Sequence, residues 1–331
     1  MSIFDQLKFS DIGMGDVQSV DEMTIVPLVG PDRGNVAPPQ SLQFQRTSGY
    51  GTMVFENKDT DRPAIIPSHT QIRGRAAQDH AMSGSGVVLS NQTKSFNNAC
   101  CIESSQGGYL RSDGNEEDIL PITLRKALLS PSMRSRNAYD KLWVDITSWM
   151  RGLGSRLRRG SDRAHLRDFY DAPEYKEALE AFAAEFEPVD GQIGAIIMFS
   201  GVPVGIEIMP SSLHWEAYWQ KILRGCYGAE MLRLKQLGKL EPSTLIMPDL
   251  SEANSIENIN ERANKVKEIL SDFTEHLKTE VVPLIEQIVI NKTNRMSTVG
   301  NIETEMVLTG NGGGGDLLTQ DSKPIYLSLV L

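Results

Sequence analysis

Two adjacent cysteines, Cys100 and Cys101, stand in the stretch NACCIESSQGGY and are the best candidates for a nucleophile in this sequence. A catalytic thiolate needs a base or a positive field beside it, and His69 and His80 lie upstream in the same β-rich region. Neighbouring residues of a strand point to opposite faces, so only one of the two sulfurs is expected to face the core. We therefore predict a packing role, with Cys101 inside and Cys100 outside, and no catalytic residues.

A group of polar residues around these cysteines is the best small-molecule site that the sequence offers. Guanidinium, amide, imidazole and carboxylate groups held together could bind a polar or anionic ligand. The alternative is that these residues have only a structural role. The members of this candidate polar cluster are Arg73, Arg75, Gln78, His80 and Glu103.

Motifs for metals and cofactors are missing from the sequence. Tetrahedral zinc sites use four N or S ligands, and neither C-x-x-C nor H-x-x-x-H occurs. The glycines of MSGSGV (82–87) lack dinucleotide-binding spacing, and those of GNGGGGD (310–316) are not followed by Lys-Ser or Lys-Thr. We expect a turn or a flexible linker in both places, and we predict no metal and no cofactor.

Composition indicates a soluble globular protein. The 331 residues are 40% hydrophobic and 23% charged, and no apolar run is long enough to span a membrane. The net charge of −10 makes nucleic acid an improbable partner. Three cysteines without a disulfide framework predict a cytoplasmic location, or a virion if the chain is viral. The stretch from Arg125 to Asp168 contains eleven Lys or Arg residues and four Asp residues. This excess of positive charge favours a solvated basic face over an anion-binding or partner-binding patch.

Hydrophobic periodicity predicts an α+β fold. The first half is β-rich and sandwich-like, with short strands separated by Gly, Asp, Asn or Pro. Helices follow, one of them carrying Trp143, and the stretch Gly191–Met209 is predicted to be a β-hairpin. The predicted divisions are an N-terminal arm (1–40), a core (41–240), a linker with an amphipathic helix (241–291) and a Gly-rich tail ending in a strand (292–331).

The amphipathic helix, expected over Ser255–Leu277, carries a narrow apolar stripe at alternating steps of three and four residues. Such a narrow stripe suits a seam with a second helix, whereas a helix that packs only on its own core usually has a wider apolar face. The alternative is a strap across the same domain. We expect Pro283 to kink or end this helix. The predicted partner seam consists of Ile256, Ile259, Val266, Leu270, Phe273 and Leu277, with Ala263 between them.

The order of these segments resembles the ARPP family, which is named for its genomic association with ADP-ribosylglycohydrolases and rhodanese-phosphatase-like proteins. The family pattern Cys-Val-Glu is matched by Cys101-Ile102-Glu103, and its Val-Trp pattern by Leu142-Trp143. The resemblance extends over roughly Met23–Leu237 and implies a compact α+β module without implying an activity. The family-matching residues are Cys101, Trp143, Gln192, Gly194, Gly201 and Gly205.

Two hypotheses of function follow. The first is a non-enzymatic binding or assembly module, a subunit of a larger complex such as a virion or another multi-subunit structure, with protein subunits as homo- or hetero-oligomeric partners. Its basis is the scarcity of catalytic motifs together with the arm, the striped helix and the tail. The second, suggested by the resemblance and the candidate polar cluster, is a protein that binds or processes a small anionic or nucleotide ligand of the ADP-ribose or NAD type.

Overall fold

A computed structural model describes residues 2–74, 77–104, 107–112, 114–130, 132–134, 139–151, 153, 165–240 and 251–331, without the side chains of Leu270 and Leu277. The helices are α1 (Ile3–Gln6), α2 (Ile122–Ala127), α3 (Trp143–Arg151), α4 (Leu166–Asp171), α5 (Pro173–Ala184), α6 (Ser212–Lys221), α7 (Ala229–Gln236), α8 (Ser251–Asn254) and α9 (Ile259–Glu286). A π-helical segment, Ile222–Gly228, joins α6 to α7, and Pro39–Ser41 is a 3-10 turn.

The first twelve strands precede α2. They are β1 (Gly13–Met14), β2 (Gln18–Val20), β3 (Met23–Val29), β4 (Leu42–Gly49), β5 (Thr52–Asn57), β6 (Ala64–Ile66), β7 (Thr70–Gly74), β8 (His80–Ala81), β9 (Gly86–Val88), β10 (Gln92–Phe96), β11 (Cys100–Cys101) and β12 (Asn115–Ile119). The later strands are β13 (Gln192–Phe199), β14 (Val202–Ile208), β15 (Ile290–Val299), β16 (Ile302–Thr309), β17 (Gly314–Gln320) and β18 (Lys323–Val330). The α+β class, the β-rich N-terminal half, the β13–β14 hairpin and the long C-terminal helix are confirmed.

One antiparallel sheet of nine strands organises the molecule. Its order is β1-β3-β13-β14-β18-β17-β16-β15, with β2 also paired to β3. Three smaller sheets, β10-β5-β4, β11-β8-β7-β12 and β6-β9, come from the N-terminal half. Among the described helices, none is long and apolar enough to cross a membrane.

Both faces of the inner strands β13, β17 and β18 are buried, whereas the edge strand β15 is mostly exposed. Side chains alternate along each strand, so Ile197 joins one apolar cluster and Ile196 joins the other. The first cluster includes Trp215 and Trp219 of α6, whereas the second includes Ile285 at the end of α9 and residues of α1. The sheet is therefore a central layer between helices.

The expected arm and tail both supply strands to this sheet. Strand β3 from the arm pairs with β13 over Met23–Val29, and the tail adds β15–β18, of which β18 pairs with β14. The expectation of a turn or flexible linker at GNGGGGD is wrong for Gly314–Asp316, which begin β17 between β16 and β18. Periodicity could not reveal this strand, because glycines carry no apolar side chain to alternate.

The bounds of the amphipathic helix also differ from the expectation. Asn258 caps α9 by accepting hydrogen bonds from the N–H groups of Asn260 and Glu261, so Ile256 precedes the helix. The helix continues through Pro283 to Glu286, and Pro283 does not end it. The buried residues Val281 and Ile285 hold this last turn against the sheet.

Buried charges attach the loops around α2 to the nine-stranded sheet. Glu207, Ser328 and Asp316 lie side by side on adjacent strands. Arg125 of α2 binds Glu207 at 2.6 Å and Ser328 at 2.6 Å, and Arg134 binds Asp316 at 2.5 Å. Burial alone would raise the pKa of Asp316, but the charge of Arg134 and hydrogen bonds from Arg134 and Ser68 lower it to about 2. The expectation of a solvated basic face is therefore wrong for Arg125 and Arg134, because both are buried by these pairs.

His69 lies beside the buried charges of Arg125, Arg134 and Asp316, and its own side chain is completely buried. Its backbone has φ of 62°, and neither ring nitrogen has a hydrogen-bond partner among the described residues. Burial, reinforced by the positive charges of Arg125 and Arg134, lowers the pKa of His69 well below its usual value. The imidazole is therefore neutral in the folded protein.

We expect Arg125→Met to lower the free energy of unfolding by about 3–5 kcal/mol, because it leaves the buried Glu207 carboxylate without its cation. Adding Glu207→Gln to Arg125→Met should recover part of this loss. The matched control is Lys235→Met, which breaks a half-exposed pair with Asp21 and should cost at most about 1 kcal/mol. Urea denaturation measures all three, and equal losses for Arg125→Met and Lys235→Met would contradict the assignment.

We expect the neutral His69 to make the protein less stable in acid. The unfolded chain takes up a proton near pH 6.5 that folded His69 does not, so stability falls as the pH drops below 6.5, by up to about 1.4 kcal/mol per pH unit. Burial also lowers the pKa values of His80 and His214, so these two residues likewise make the protein less stable in acid. Burial raises the pKa of Asp79 to about 6, so Asp79 has the opposite effect on stability between pH 6 and 3.8.

The variant His69→Asn isolates the contribution of His69, since asparagine tolerates its positive φ. Urea denaturation at pH 7 and pH 5 should give a smaller loss of stability for this variant than for the wild type. An identical loss in the two proteins would show that His69 takes up a proton in the folded state.

Candidate functional site

Three residues of the candidate polar cluster come together in the structure. The backbone carbonyl of Gln78 lies 2.8 Å from Nδ1 of His80, and Nε2 of Gln78 donates to the carbonyl of Glu103 at 2.6 Å. Strand β8 pairs with β11, which places His80 opposite Cys101. All three polar side chains are buried, so they form a compact site beneath the surface.

Arg73 does not join this group, and Arg75 lies outside the described residues. Arg73 is the cross-strand neighbour of Glu116 in the β7–β12 pair, and it binds Asp118 at 2.5 Å and Glu116 at 3.1 Å. Its guanidinium lies 4.1 Å from the centre of the Tyr170 ring. The placement of Arg73 in the candidate cluster is therefore wrong, because strand pairing directs its side chain to other carboxylates.

Three residues that the sequence did not single out complete the site. Nδ1 of His165 lies 2.8 Å from a carboxylate oxygen of Glu103, and Arg167 of α4 binds both carboxylate oxygens of Asp79. The N–H of Gly74 also donates to Asp79, at 2.9 Å. His165 and Glu103 are 62 positions apart, so no local motif could have linked them. We call Gln78, Asp79, His80, Glu103, His165 and Arg167 the polar site.

The thiol of Cys101 lies next to a base. Its sulfur is 3.3 Å from Nε2 of His80, and the N–H of Gly51 donates to the same nitrogen at 3.3 Å. The hydrogen-bond network thus places the imidazole proton on Nδ1, where the carbonyl of Gln78 accepts it. Burial raises the pKa of Cys101 to about 11 and lowers the pKa of His80, so the pair remains a neutral thiol and a neutral imidazole.

Both cysteines of the pair are buried, so the expectation that Cys100 lies outside is wrong. Cys100 joins the apolar cluster of Leu124 and Ile146, while Cys101 contacts His80 on the other side. The two faces of β11 are both covered, which strand alternation alone could not indicate. Among the described residues, no group of His, Cys, Asp or Glu is arranged to hold a metal ion.

The family-matching residues fall at two places. Trp143 is half-buried, and its indole N–H donates to the carbonyl of Cys101 at 2.9 Å. The other matching residues shape the β13–β14 hairpin: Gly201 has φ of 83° in its turn, a Cβ at Gly205 would overlap the Tyr227 hydroxyl, and Gly194 and Gln192 lie in β13.

The apolar stripe of α9 is a second candidate site, on the surface. Ile259 is 70% exposed, and Val266 and Phe273 are half-buried. None of these three belongs to, or packs against, the apolar clusters formed by the described residues. The side chains of Leu270 and Leu277 lie outside the described part, and Ile256 is half-buried before the helix cap.

A family model matches residues 11–280. The model is ARPP-1, described as the ARG and Rhodanese-Phosphatase-superfamily-associated Protein domain. The matched range begins before β1 and ends inside α9, so it covers most of the chain. No curated protein and no solved structure matches this chain.

We expect all three thiols to be unreactive in the folded protein. Cys100, Cys101 and Cys226 are fully buried, and burial raises the pKa of Cys100 and of Cys226 to about 12. Titration with a colorimetric disulfide reagent at pH 8 should detect no rapidly reacting thiol, and three after denaturation in urea. A single fast thiol that disappears in Cys101→Ser would identify Cys101 as an accessible nucleophile and contradict its packing role.

Proposed function

The chain belongs to the ARPP-1 family, as the sequence predicted, and we propose that it is a non-enzymatic binding and assembly module. In this proposal, α9 joins the chain to a larger complex, in the cytoplasm or in a virion if the chain is viral. The observation that carries the proposal is the apolar stripe of α9, whose side chains Ile259, Val266 and Phe273 lie outside the apolar clusters formed by the described residues.

The stripe continues a face of α9 that is already used for packing. Near its C-terminal end this face is buried, with Val281 and Ile285 in the apolar cluster on the sheet. Val266 precedes Phe273 by seven residues, and Phe273 precedes Val281 by eight. Both are helical spacings, so Val266 and Phe273 extend the same side of the helix as Val281. Covering these half-exposed side chains would contribute about 25 cal/mol for each Å² of apolar surface removed from water.

The charges of α9 favour a second copy of the chain as the partner. Residues 259–267 carry three basic residues and one acidic residue, whereas residues 268–280 carry four acidic residues and one lysine. Two copies in antiparallel orientation place the basic part of each helix against the acidic part of the other, while a parallel pair would set like charges side by side. The partner we propose is therefore an antiparallel second α9.

The polar site supports a structural role better than catalysis. Asp79 is held by Arg167 and by the N–H of Gly74, Glu103 lies against His165, and Cys101 is a neutral buried thiol. The polar site contains two carboxylates, those of Asp79 and Glu103, and one guanidinium, that of Arg167. This balance of charge disfavours an anionic ligand in the polar site. The nucleotide hypothesis thus draws little support from this site.

We expect the double variant Ile259→Asp/Val266→Asp to lose self-association without unfolding. Each copy would place two carboxylates in the apolar seam, so the dissociation constant should rise at least about 100-fold. Size-exclusion chromatography with light scattering measures the assembly state, and far-ultraviolet circular dichroism with thermal denaturation checks the fold.

The matched control is Asn264→Asp/Ser271→Asp, which adds the same two charges at the same spacing on an exposed side of α9. It should assemble as the wild type does. A wild type that stays monomeric at high concentration, or equal effects of the two double variants, would contradict the proposed seam.

A further inference from the structure

Two small sheets of the N-terminal half border a common cleft with their outermost strands. Among the described residues, β4 is the last strand of the sheet β10-β5-β4, and β12 is the last strand of β11-β8-β7-β12. The cleft between them, which we call the edge cleft, has a volume of about 230 Å³. A cavity of about 150 Å³ binds benzene, so the edge cleft has room for a leucine or phenylalanine side chain. Its lining includes Leu42 and Phe44 of β4, Phe55 of β5, Glu117 of β12, and Tyr218 and Lys221 of α6.

The backbone of Phe44 points away from its own sheet. The N–H of Lys58 donates to the carbonyl of Ser41 at 2.9 Å, which makes these two residues a hydrogen-bonded pair that continues the β4–β5 ladder. Hydrogen-bonded and non-hydrogen-bonded pairs alternate in an antiparallel ladder, so the N–H and C=O of Gln43 point to β5 and those of Phe44 point outward. Phe44 therefore presents one donor and one acceptor at the edge of β4.

The backbone of Glu117 points outward in the same way. The N–H of Leu120 donates to the carbonyl of His69 at 3.1 Å, and this pair continues the β7–β12 ladder. By the same alternation, the backbone groups of Glu116 point to β7 and those of Glu117 point away from it. Strand edges with outward N–H and C=O groups therefore border the edge cleft on two sides.

The side chains that line the edge cleft favour an apolar occupant. Phe44 is opposite Phe55, and the two rings meet edge to face with their centres 5.6 Å apart. A residue added opposite Phe44 would place its side chain on this face, against both rings and near Tyr218. The charges of the lining are already matched, because Nζ of Lys221 lies 2.8 Å from the carboxylate of Glu117.

The opposite face of β4 carries two positive charges. Arg46 lies opposite Val54, the neighbour of Phe55, so its side chain is on the other face of the sheet from Phe44. Arg111 is the cross-strand neighbour of Arg46, and both arginines are exposed. Neither forms an ion pair with a carboxylate of the described residues. Like charges directly opposite each other destabilise a sheet, so a carboxylate of a partner would be stabilised beside them.

The carboxylates near these arginines do not cancel their charge. Glu56 of β5 accepts a hydrogen bond from the side chain of Gln45 at 2.8 Å, and one carboxylate against two guanidinium groups leaves an excess of one positive charge. The carboxylates of β12 already have cations of their own: Glu116 binds Arg73, Glu117 binds Lys221, and Asp118 binds Arg224.

We infer that the edge cleft binds an extended peptide segment of a partner protein, which adds to β4 as a further strand. Its backbone pairs with the N–H and C=O of Phe44, and one apolar side chain fills the cleft. Successive side chains of a strand point to opposite faces, so the adjoining residue lies beside Arg46 and Arg111 and is acidic. The partner therefore presents a strand of alternating apolar and acidic residues. The inference is independent of α9 and of the proposed assembly.

A synthetic peptide is the probe for the test: nine residues in which valine and aspartate alternate around a central leucine, with a fluorescent label. Fluorescence anisotropy with the full chain should show saturable binding. Replacing the aspartates by lysine, or methylating the backbone nitrogens of the valines and the leucine, should each weaken binding at least about tenfold. No binding at millimolar protein, or equal affinity for the three peptides, would overturn the inference.

Charge-reversal variants locate the peptide on the chain. Arg46→Glu/Arg111→Glu changes two exposed side chains and should weaken binding of the probe at least about tenfold. The matched control is Lys292→Glu/Arg295→Glu, which makes the same change of charge on the exposed edge strand β15 and should bind as the wild type does. Circular dichroism checks that both fold. Equal losses in the two double variants would show a general effect of charge and overturn the site.

Hydrogen exchange of single amides, followed by NMR of the full chain, tests the strand pairing itself. The N–H of Phe44 should exchange rapidly in the free protein and at least about tenfold more slowly with saturating probe. The N–H of Gln43, which is already bonded to β5, serves as the internal control and should change little. Unchanged exchange at Phe44 with the probe bound would show that the peptide does not add to β4 and would overturn the inference.

Discussion

Two buried carboxylates in the nine-stranded sheet, Glu207 and Asp316, constrain the whole structure. Each sits on an inner strand, where an unpaired charge would be very costly, and each receives an arginine from the region between β12 and α3. Arg125 and Arg134 therefore attach the N-terminal half to a sheet built mainly from later strands. The small sheets share an apolar cluster of their own, and hydrogen bonds from the Ser68 hydroxyl and the Ser85 N–H to Asp316 attach their loops to the nine-stranded sheet.

The same attachment explains why polar residues lie so deep in this protein. Once α2 is fixed to the sheet, β7, β8 and β11 are enclosed, and their polar side chains must find partners inside. Glu103 meets His165, and Asp79 meets Arg167. These contacts join the β-rich half to α4, so the polar site holds two parts of the fold together while α9 leaves its apolar stripe at the surface.

The sequence predicts local features of this fold well and long-range ones poorly. Apolar spacing was sufficient for the β13–β14 hairpin and for α9, because each is formed by neighbouring residues. It could not place Gly314–Asp316 in a strand, since that strand is defined by its neighbours in the sheet. For the polar site, Gln78, His80 and Glu103 were found because they lie near one another in the chain. Arg167 was counted in a basic stretch, but its partner Asp79 is 88 positions away, and only the folded chain connects them.

The pairing of α9 with a second copy is the central claim, and distances between spin labels in the assembly test it most directly. Labels attached to Asn264→Cys and, separately, to Thr279→Cys would react selectively, because the native thiols are buried. With antiparallel helices that rise 1.5 Å per residue, lie about 8–10 Å apart and cross at about residue 269, we expect backbone separations of about 18 Å at 264 and about 32 Å at 279. Equal short distances at both positions, or no distance between chains at either, would contradict the account.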